Sequence, residues 1–274
     1  FDQPCTKFTF RLTLTNIPSS LTAVSNTQIE SEKPDEVPDF KTVTFLKTDQ
    51  IAAYLTAWVV GRFRTVERIL AVPRYALGSG ESTGRAQELT VRVSIPEFVR
   101  DAPDGDYALK LICHAMSFFT NLFRVNYPYS KLDNVLSPLH PMLGMENWGL
   151  ITYAQNYLNV GPETTTDRRK RIARLIGHEV VHQWFGNSTS VVWWSYLYLK
   201  EGFARLLEYV FLENLHPEWS YWHHFRSDIC HEVMQEDETA HTHPIERAIN
   251  MPADIYKNVD TICYAKGACV LRQL

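Results

Sequence analysis

The most constraining feature of the sequence is His178-Glu-Val-Val-His182, inside the run GHEVVHQWFGN from Gly177 to Asn187. Residues four apart lie one above the other on the same face of an α-helix. A helix here therefore lets His178 and His182 offer two imidazole nitrogens to one metal ion. Glu179 lies beside them, where it can accept and release a proton without binding the metal. We expect the chain to fold around a metal-binding helix.

A third candidate ligand lies further along the chain. Catalytic zinc sites need three protein ligands and one position for water. Glu201 follows His182 after eighteen intervening residues, on the strongly helical stretch LYLKEGFARLLEY. The pattern predicts one Zn²⁺ per chain, with Glu179 able to take a proton from water that the metal activates. These residues indicate a zinc hydrolase but do not identify a donor for its oxyanion. The alternative is a solvent-facing helix that carries two histidines and an acid.

Composition limits the classes of function. The chain has 274 residues, of which 45% are hydrophobic and 21% are charged, as in an ordinary soluble globular protein. A net charge of -4 gives no reason to expect a nucleic-acid partner. No apolar run approaches the ~20 residues that span a bilayer. Because the chain starts at Phe1 without a Met and stops in an apparent helix at Leu274, we expect an internal fragment of a larger protein.

The cysteines bear on the cellular compartment. There are five, an odd number, and none forms a CxxC pair, which argues against a disulfide framework and favours buried free thiols. This pattern favours a reducing compartment such as the cytoplasm. A membrane-anchored ectoenzyme stays open for the full-length protein. The cysteines are Cys5, Cys113, Cys230, Cys263 and Cys269.

Hydrophobic periodicity changes near Ile95-Pro96. The segments FTFRLTLT, VTFL, AYLTAWVVG and LTVRVSI lie before this point and are typical of strands, whereas SEKPDEVPD predicts an exposed loop. We therefore predict an α+β fold with a β domain over residues 1–95 and a catalytic domain over residues 96–274.

The second region has mainly helical patterns. A helix is predicted from Asp104 to Phe123, and short strands are predicted at NVLSPL and GLITYAQNYL. The metal-binding helix follows, with Thr166 or Asp167 as its N-terminal cap. Further helices are predicted after Glu201 and at the C-terminus.

Five motifs occur in a characteristic order: GMENWGLITY, HEVVHQWFGN, the pair Trp193-Trp194, EGFARLLEY and YAKGACVLR. Together they resemble the zinc aminopeptidase family of the gluzincin class, and the resemblance extends over essentially the whole chain. It implies the C-terminal part of a saddle-like β domain followed by a thermolysin-like catalytic domain, truncated at both ends. A further N-terminal β segment and a C-terminal helical domain are then expected in the full-length chain.

The resemblance also implies roles for single residues. It implies a zinc aminopeptidase that releases N-terminal residues by zinc-activated water attack, so the expected partner is a peptide with a free N-terminus. The zinc ligands would be His178, His182 and Glu201, with Glu179 as general base. Glu146 would bind the substrate α-ammonium, Gly144, Met145 and Asn147 would contact the peptide, and Tyr264 would donate to the oxyanion.

Two positions depart from the family pattern. Leu143 stands where the family usually has Gly and would be strained if that position requires a positive φ. Lys200 stands where Asn is usual. Either its charge would weaken the binding of the adjacent Glu201 carboxylate to the metal, or its side chain would point into solvent. Both favour an alternative, a catalytically impaired relative that serves as a receptor or binding scaffold. An epoxide-hydrolysing relative is a further alternative, but its pattern lacks the WFGN and WW runs.

Overall fold

The protein has an α+β fold, and the computed structural model describes residues 3–99, 105–154, 157–158, 160–251, 254–256 and 259–274. The strands are β1 (Lys7–Phe8), β2 (Thr13–Pro18), β3 (Thr22–Ser25), β4 (Ile29–Pro34), β5 (Phe40–Phe45), β6 (Ile51–Ala52), β7 (Trp58–Gly61), β8 (Phe63–Tyr75), β9 (Ser82–Pro96), β10 (Lys131–Ser137), β11 (Gly144–Met145) and β12 (Leu150–Ala154). The α-helices are α1 (Asp106–Phe123), α2 (Thr166–Val181), α3 (Leu197–Leu215), α4 (Tyr221–His224), α5 (His231–Asp237) and α6 (Gly267–Leu271).

A five-stranded sheet with the order β11-β12-β10-β9-β8 carries the candidate site. Its central strand β10 pairs in parallel with β9 and β12, whereas β8 and β11 run antiparallel to their neighbours. The alternating residues Val91, Val93 and Ile95 of β9 are fully buried, which is the two-residue period expected of a strand. The sheet contains strands from both sides of Ile95-Pro96, because β9 pairs with β8 on one side and with β10 on the other. The division into two domains at Ile95-Pro96 stays a prediction.

The N-terminal strands form smaller antiparallel sheets: β2-β5-β4, β3-β7 and β1-β6. The predicted strand FTFRLTLT is divided between β1 and β2. The predicted loop SEKPDEVPD is wrong over its first residues, because β4 extends to Pro34 and pairs with β5. Strand β4 is polar and largely exposed on both faces, so hydrophobic alternation does not mark it.

Three long helices pack against one another and present the site. Helix α1 ends at Phe123 as predicted; the predicted start, Asp104, lies outside the described residues. In α2 the buried residues Ile172, Ile176 and Val180 recur every four positions and form its core-facing stripe. Helix α2 packs against both α1 and α3, and α3 also packs against α6.

Two observations bear on the expectations from composition. All five cysteines are unpaired, with Cys113 and Cys263 buried as predicted and Cys5 exposed, contrary to the prediction. The sulfur atoms of Cys230 and Cys269 lie 3.2 Å apart, well beyond the length of a disulfide bond. No helix among the described residues combines the length and apolar character needed to cross a membrane.

Candidate metal centre and substrate cleft

Helix α2 positions both histidines. Its N-terminal cap is Thr165, whose hydroxyl accepts a hydrogen bond from the backbone N–H of Arg168, so the prediction of Thr166 or Asp167 is wrong by one or two residues. His178 lies in the last turn of α2 and His182 is its C-terminal cap, and their Nε2 atoms are 3.1 Å apart. The four-residue spacing therefore brings the two imidazoles together, as expected from the sequence.

Helix α3 supplies the carboxylate. Oε2 of Glu201 lies 3.2 Å from Nε2 of His178 and 3.3 Å from Nε2 of His182. These three atoms form a triangle whose sides are all close to the edge of a tetrahedron of ligands at zinc–nitrogen bond length, roughly 3.3 Å. Among the described residues, His178, His182 and Glu201 are the group of buried side chains whose ligand atoms converge in this way.

The hydrogen bonds of the outer ring nitrogens determine which atoms face the centre of the triangle. Nδ1 of His178 lies 3.0 Å from Oε2 of Glu208, and Nδ1 of His182 lies 2.7 Å from the carbonyl oxygen of Phe185. Both partners only accept hydrogen bonds, so each Nδ1 carries a proton, and Nε2 of each ring presents a lone pair to the centre of the triangle whenever the ring is neutral. Two nitrogen lone pairs and a carboxylate oxygen repel at this distance unless a cation or a proton lies among them. The donor set therefore fits Zn²⁺.

The charges around the triangle shift the acidity of its members. Burial alone would lower the pKa of His178, but hydrogen bonds to Glu201 and Glu208 raise it to about 9. Burial would raise the pKa of Glu201, yet Lys200 and His182 hold it well below its usual range. In the metal-free site the stabilising positive charge is thus a proton on His178. A metal ion bound among these three side chains would take the place of that proton.

Glu208 is a supporting residue that sequence reasoning missed. It is fully buried on α3, accepts from Nδ1 of His178 and pairs with Arg174 at 3.1 Å and Arg205 at 2.8 Å. Burial would raise the pKa of Glu208, but Arg205, His178 and Arg174 lower it to about 2. The sequence does contain an indication of this role. Glu208 follows Glu201 by seven residues, which is two helical turns, so both lie on the face of α3 that contacts His178.

Glu179 is buried beside the triangle. Its Oε2 atom accepts no hydrogen bond from the described residues. Burial, the largest influence, raises the pKa of Glu179 to about 8. A β-carbon at Gly144 would lie 2.5 Å from Oε1 of Glu179, so glycine lets strand β11 approach this carboxylate without displacing it.

Glu146 follows β11 and is held through its backbone. Its carbonyl oxygen accepts hydrogen bonds from Nε2 of Gln183 at 3.0 Å and from Nδ2 of Asn187 at 2.9 Å. Both donors come from the segment just after His182, so one stretch of chain provides two histidines and also fixes Glu146. Gln183 and Asn187 are further residues that sequence reasoning missed, although they lie in the quoted motif HEVVHQWFGN.

Lys200 points into the site and not into solvent. Its side chain is 6% exposed, and Nζ lies 2.6 Å from Oε1 of Glu146 and 2.5 Å from Oε1 of Glu201. Burial would raise the pKa of Glu146, but Lys200 lowers it. Leu143, the other departure, is exposed and does not adopt a positive φ, so the strain considered for it is absent.

Strand β11 forms the end of the five-stranded sheet beside the site. Gly144 and Met145 pair with Tyr153 and Thr152 of β12, and Leu143 O accepts from Ala154 N at 2.9 Å. Gly144, Met145 and Glu146 line a cleft of about 1040 Å³ that also contains the triangle, Glu179 and Tyr264. Asn147 is buried, and its side-chain amide donates to Tyr54 O at 3.2 Å, so a contact of Asn147 with substrate stays a prediction.

Tyr264 lies across the cleft from α2 on a short π-helical turn, Ile262–Lys266. Its ring stacks on the imidazole of His178, with centroids 6.0 Å apart and planes 19° apart. Burial above all, and then the carboxylate of Glu201, raises the pKa of Tyr264 well above its usual value. The phenol is therefore protonated at neutral pH and can donate a hydrogen bond.

The fold and these residues define an α+β protein with a candidate metal centre of two histidines and one glutamate in a cleft of about 1040 Å³. Residues 107–274 match the model of the peptidase family M1 domain, and this chain belongs to that family. The prediction of the family from sequence motifs is thereby confirmed.

Similar proteins are found over the full length of the chain. It is 35% identical to the puromycin-sensitive aminopeptidase of Caenorhabditis elegans over 275 residues. It is 34% identical to aminopeptidase N of Rattus norvegicus over 279 residues and 34% identical to aminopeptidase M1 of Arabidopsis thaliana over 275 residues. Each match covers 100% of this chain but 27%, 27% and 29% of the three relatives, respectively.

Proposed function

We propose that the protein to which this chain belongs is a zinc aminopeptidase that removes N-terminal residues from peptides. The observation that carries the proposal is the convergence of His178, His182 and Glu201 at 3.1–3.3 Å, with Glu179 and Glu146 lining the same cleft. Membership of peptidase family M1 supports the same reaction class. We also propose that the chain comprises part of a saddle-like β domain followed by a thermolysin-like catalytic domain.

When bound by His178, His182 and Glu201, Zn²⁺ would activate water and polarise the scissile carbonyl. Glu179 takes the proton that water gives up in the attack and passes it to the leaving amine. Burial raises the pKa of Glu179 to about 8 before a metal binds, and the charge of bound Zn²⁺ would drive off this first proton, so that the carboxylate is ionised when water gives up its own proton. Its Oε2 atom accepts no hydrogen bond from the described residues and is free to take that proton.

Strand β11 and Glu146 orient the peptide. The backbone of Gly144 and Met145 pairs with an extended substrate as a further strand of the sheet. The buried carboxylate of Glu146 is the anion that recognises a free α-ammonium, through a charge-assisted bond of ~1.5–3 kcal/mol. Because Glu146 is fixed relative to the metal ligands, this contact places the first peptide bond at the centre.

Tyr264 stabilises the negative charge that develops on the carbonyl oxygen. Its phenol stays protonated, and its ring is held against His178 at a centroid distance of 6.0 Å. A donor of this kind typically lowers a barrier by ~3 kcal/mol.

The test uses the full-length polypeptide loaded with zinc. Wild-type protein is expected to release leucine from a leucyl peptide and to lose this activity with a chelator. Glu179→Gln is expected to keep its zinc but to lose roughly 100- to 10,000-fold in kcat, since it cannot act as a base. Zinc content by mass spectrometry separates loss of metal from loss of chemistry. Full activity of Glu179→Gln would refute the assigned role.

The alternative considered from the sequence, a receptor or binding scaffold without turnover, is not favoured by membership of peptidase family M1, although the ammonium of Lys200 pairs with Glu146 and Glu201. The same assay decides between the two. Stoichiometric zinc without turnover on a panel of aminoacyl substrates would support the scaffold.

A further inference from the structure

The turn that carries Tyr264 is held at both ends by one other segment of the chain. This anchor segment, residues 237–243, begins at the last residue of α5. His243 contacts Asp260 just before the turn, and Asp237 contacts Lys266 at the end of the turn. None of these four side chains is a candidate metal ligand, so the arrangement does not depend on a metal ion in the site.

The imidazole of His243 joins the anchor segment to the start of the turn. Its Nε2 atom lies 2.6 Å from Oδ2 of Asp260, and its Nδ1 atom lies 2.8 Å from the carbonyl oxygen of Pro244. Both partners only accept hydrogen bonds, so both ring nitrogens donate. Oδ1 of Asp260 accepts from the backbone N–H of Cys263 at 2.9 Å, as a helix cap does. One carboxylate thus binds both His243 and the first residues of the turn.

Lys266, the last residue of the turn, is held by a second carboxylate. Its Nζ atom lies 2.6 Å from Oδ2 and 2.8 Å from Oδ1 of Asp237. The hydroxyl of Thr242 donates to Oδ1 of Asp237 at 2.6 Å and so links the two ends of the anchor segment. The hydrogen bonds from Lys266 and Thr242 lower the pKa of Asp237, which is therefore ionised at neutral pH.

The position of the Tyr264 phenol depends on the position of this turn. The turn Ile262–Lys266 is π-helical, and such turns are rare and occur often at functional sites. The backbone N–H of Tyr264 donates to the carbonyl of Asp260 at 3.1 Å, so a shift of Asp260 is passed on to Tyr264. A donor in a catalytic site must be held to within about 0.5 Å, and a misplacement of about 1 Å can cost roughly 100-fold in rate.

We propose that His243 and Asp237 are positioning residues for the reaction: they fix both ends of the turn Ile262–Lys266 and so hold the Tyr264 phenol where it donates to the oxyanion. This inference rests on the proposed function, since it concerns the same donor. Neither His243 nor Asp237 is among the described residues that line the cleft. Their removal is therefore expected to slow the chemical step and to leave substrate binding unchanged.

The first test measures hydrolysis of a leucyl peptide by zinc-loaded full-length protein. His243→Ala is expected to lower kcat by roughly 10- to 100-fold and to change KM by less than about 3-fold, since a misplaced donor loses part of its effect on the transition state. His243→Gln, whose amide nitrogen can donate to Asp260, is expected to recover kcat to within about 3-fold of wild type. His241→Ala, at an exposed position of the anchor segment, is the matched control and should behave as wild type.

The Tyr264→Phe background separates positioning from general destabilisation. If His243 acts by placing the phenol, His243→Ala costs less than about 3-fold in kcat once the phenol is absent. A merely structural role gives the same fold-loss in both backgrounds, and that result would overturn the proposal, as would a wild-type kcat in His243→Ala. If thermal unfolding shows that His243→Ala does not fold, His243→Phe replaces it, because it keeps a ring and removes both donors.

Asp237→Asn tests the other end of the turn. It keeps the size of the side chain and removes the charge that holds Lys266. We expect kcat to fall by roughly 3- to 30-fold, again only while Tyr264 is present. Glu236→Gln, at the neighbouring exposed position, is the matched control. An unchanged kcat in Asp237→Asn would overturn the role of Asp237.

A binding measurement separates this inference from the function on which it rests. The phosphonic acid analogue of leucine presents a tetrahedral anion to the oxyanion donor, whereas leucinamide does not. Calorimetry on zinc-loaded protein is expected to show that His243→Ala binds the analogue at least about 10-fold more weakly and binds leucinamide as wild type does. This change in affinity without turnover by the wild type would refute the proposed function and support the positioning role. Turnover by the wild type with an unchanged analogue affinity in His243→Ala would refute only the positioning role.

Discussion

At the scale of single residues, the candidate metal centre depends on the hydrogen bonds that orient its proposed ligands. Glu208 accepts from Nδ1 of His178 at 3.0 Å and so turns Nε2 of that ring towards Glu201. Arg174 and Arg205 neutralise Glu208, which is why a fully buried carboxylate stays ionised there. Such outer partners set the orientation and basicity of a ligand histidine.

Glu208→Gln is expected to weaken zinc binding by roughly 10- to 100-fold, because a neutral amide holds the His178 ring less firmly and lowers its basicity. Competition with a chromogenic chelator measures the change. Glu236→Gln, at an exposed position of α5, is the matched control and should bind zinc as wild type does. An unaltered zinc affinity in Glu208→Gln would contradict this role.

Metal binding is expected to release protons at pH 7. The pKa of His178 is raised to about 9, so the metal-free site holds a proton below that pH and must give it up to zinc. Apparent zinc affinity should therefore rise with pH and level off above about 9. Calorimetry at pH 7 in two buffers of different ionisation enthalpy counts the protons.

Glu179, with a pKa of about 8, contributes to the same release. Glu179→Gln removes its share and should leave roughly the one proton of His178. A zinc affinity that falls as pH rises from 6 to 9 would show that His178 is not protonated in the metal-free site.

At the scale of elements, a close approach of α3 to α6 positions the turn that carries Tyr264. A β-carbon at Gly202 would lie 2.8 Å from the backbone carbon of Gly267, which begins α6. The turn Ile262–Lys266 runs directly into α6, so the distance between these helices also sets the distance of Tyr264 from His178.

Gly202→Ala is expected to destabilise the protein by about 1–3 kcal/mol, since backbone must shift to admit the methyl group. Gly177→Ala on α2 is the matched control: its β-carbon would meet a side-chain atom of Phe211 at 3.2 Å, and the helix gains propensity from alanine. Urea unfolding of both variants gives the two free energies. Equal stability of the two variants would show that the α3–α6 contact can relax.

A feature of this fold could be predicted from the sequence where the interactions that produce it join residues close together in the chain. The four-residue spacing of His178 and His182 is local, and the helix it implies is present. The orientation of Lys200 depends on space that Gly186 provides from another segment, and local pattern carries no such information. Strand β4 is likewise defined by its partner β5 and not by its own alternation of polar and apolar residues.

At the scale of the whole molecule, Lys131 joins the N-terminal sheets to the central one. It is buried on β10, forms an ion pair with Asp133 at 2.7 Å, donates to the carbonyl of Gly149 at 2.8 Å and donates to the carbonyl of Ser25 on β3. Asn26, next to Ser25, donates to the carbonyls of Leu55 and Trp148, each at 2.8 Å. A few buried polar contacts therefore tie the loop after Glu146 to the N-terminal strands.

Lys131→Met is expected to destabilise the protein by roughly 3–5 kcal/mol, because it leaves the carbonyls of Ser25 and Gly149 without their donor and leaves buried Asp133 with only the more distant Arg92, at 3.6 Å. Lys110→Met, which removes an exposed ion pair with Asp106 on α1, is the matched control and should cost less than about 1 kcal/mol. Denaturant titration of both variants measures the difference. A small effect of Lys131→Met would show that the junction adapts to the loss of charge.

The carbonyl of Glu146 is bound by Gln183 and Asn187, which follow directly after His182. If the proposed function holds, the anchor for the substrate's first residue and the centre that cuts the chain fluctuate together, as parts of one rigid body. The number of residues removed in each cycle is then insensitive to thermal motion elsewhere in the protein. Weakening the hydrogen bond that either Gln183 or Asn187 donates to Glu146 would first be detected in the products, as occasional dipeptides among single amino acids, and only later as a lower rate.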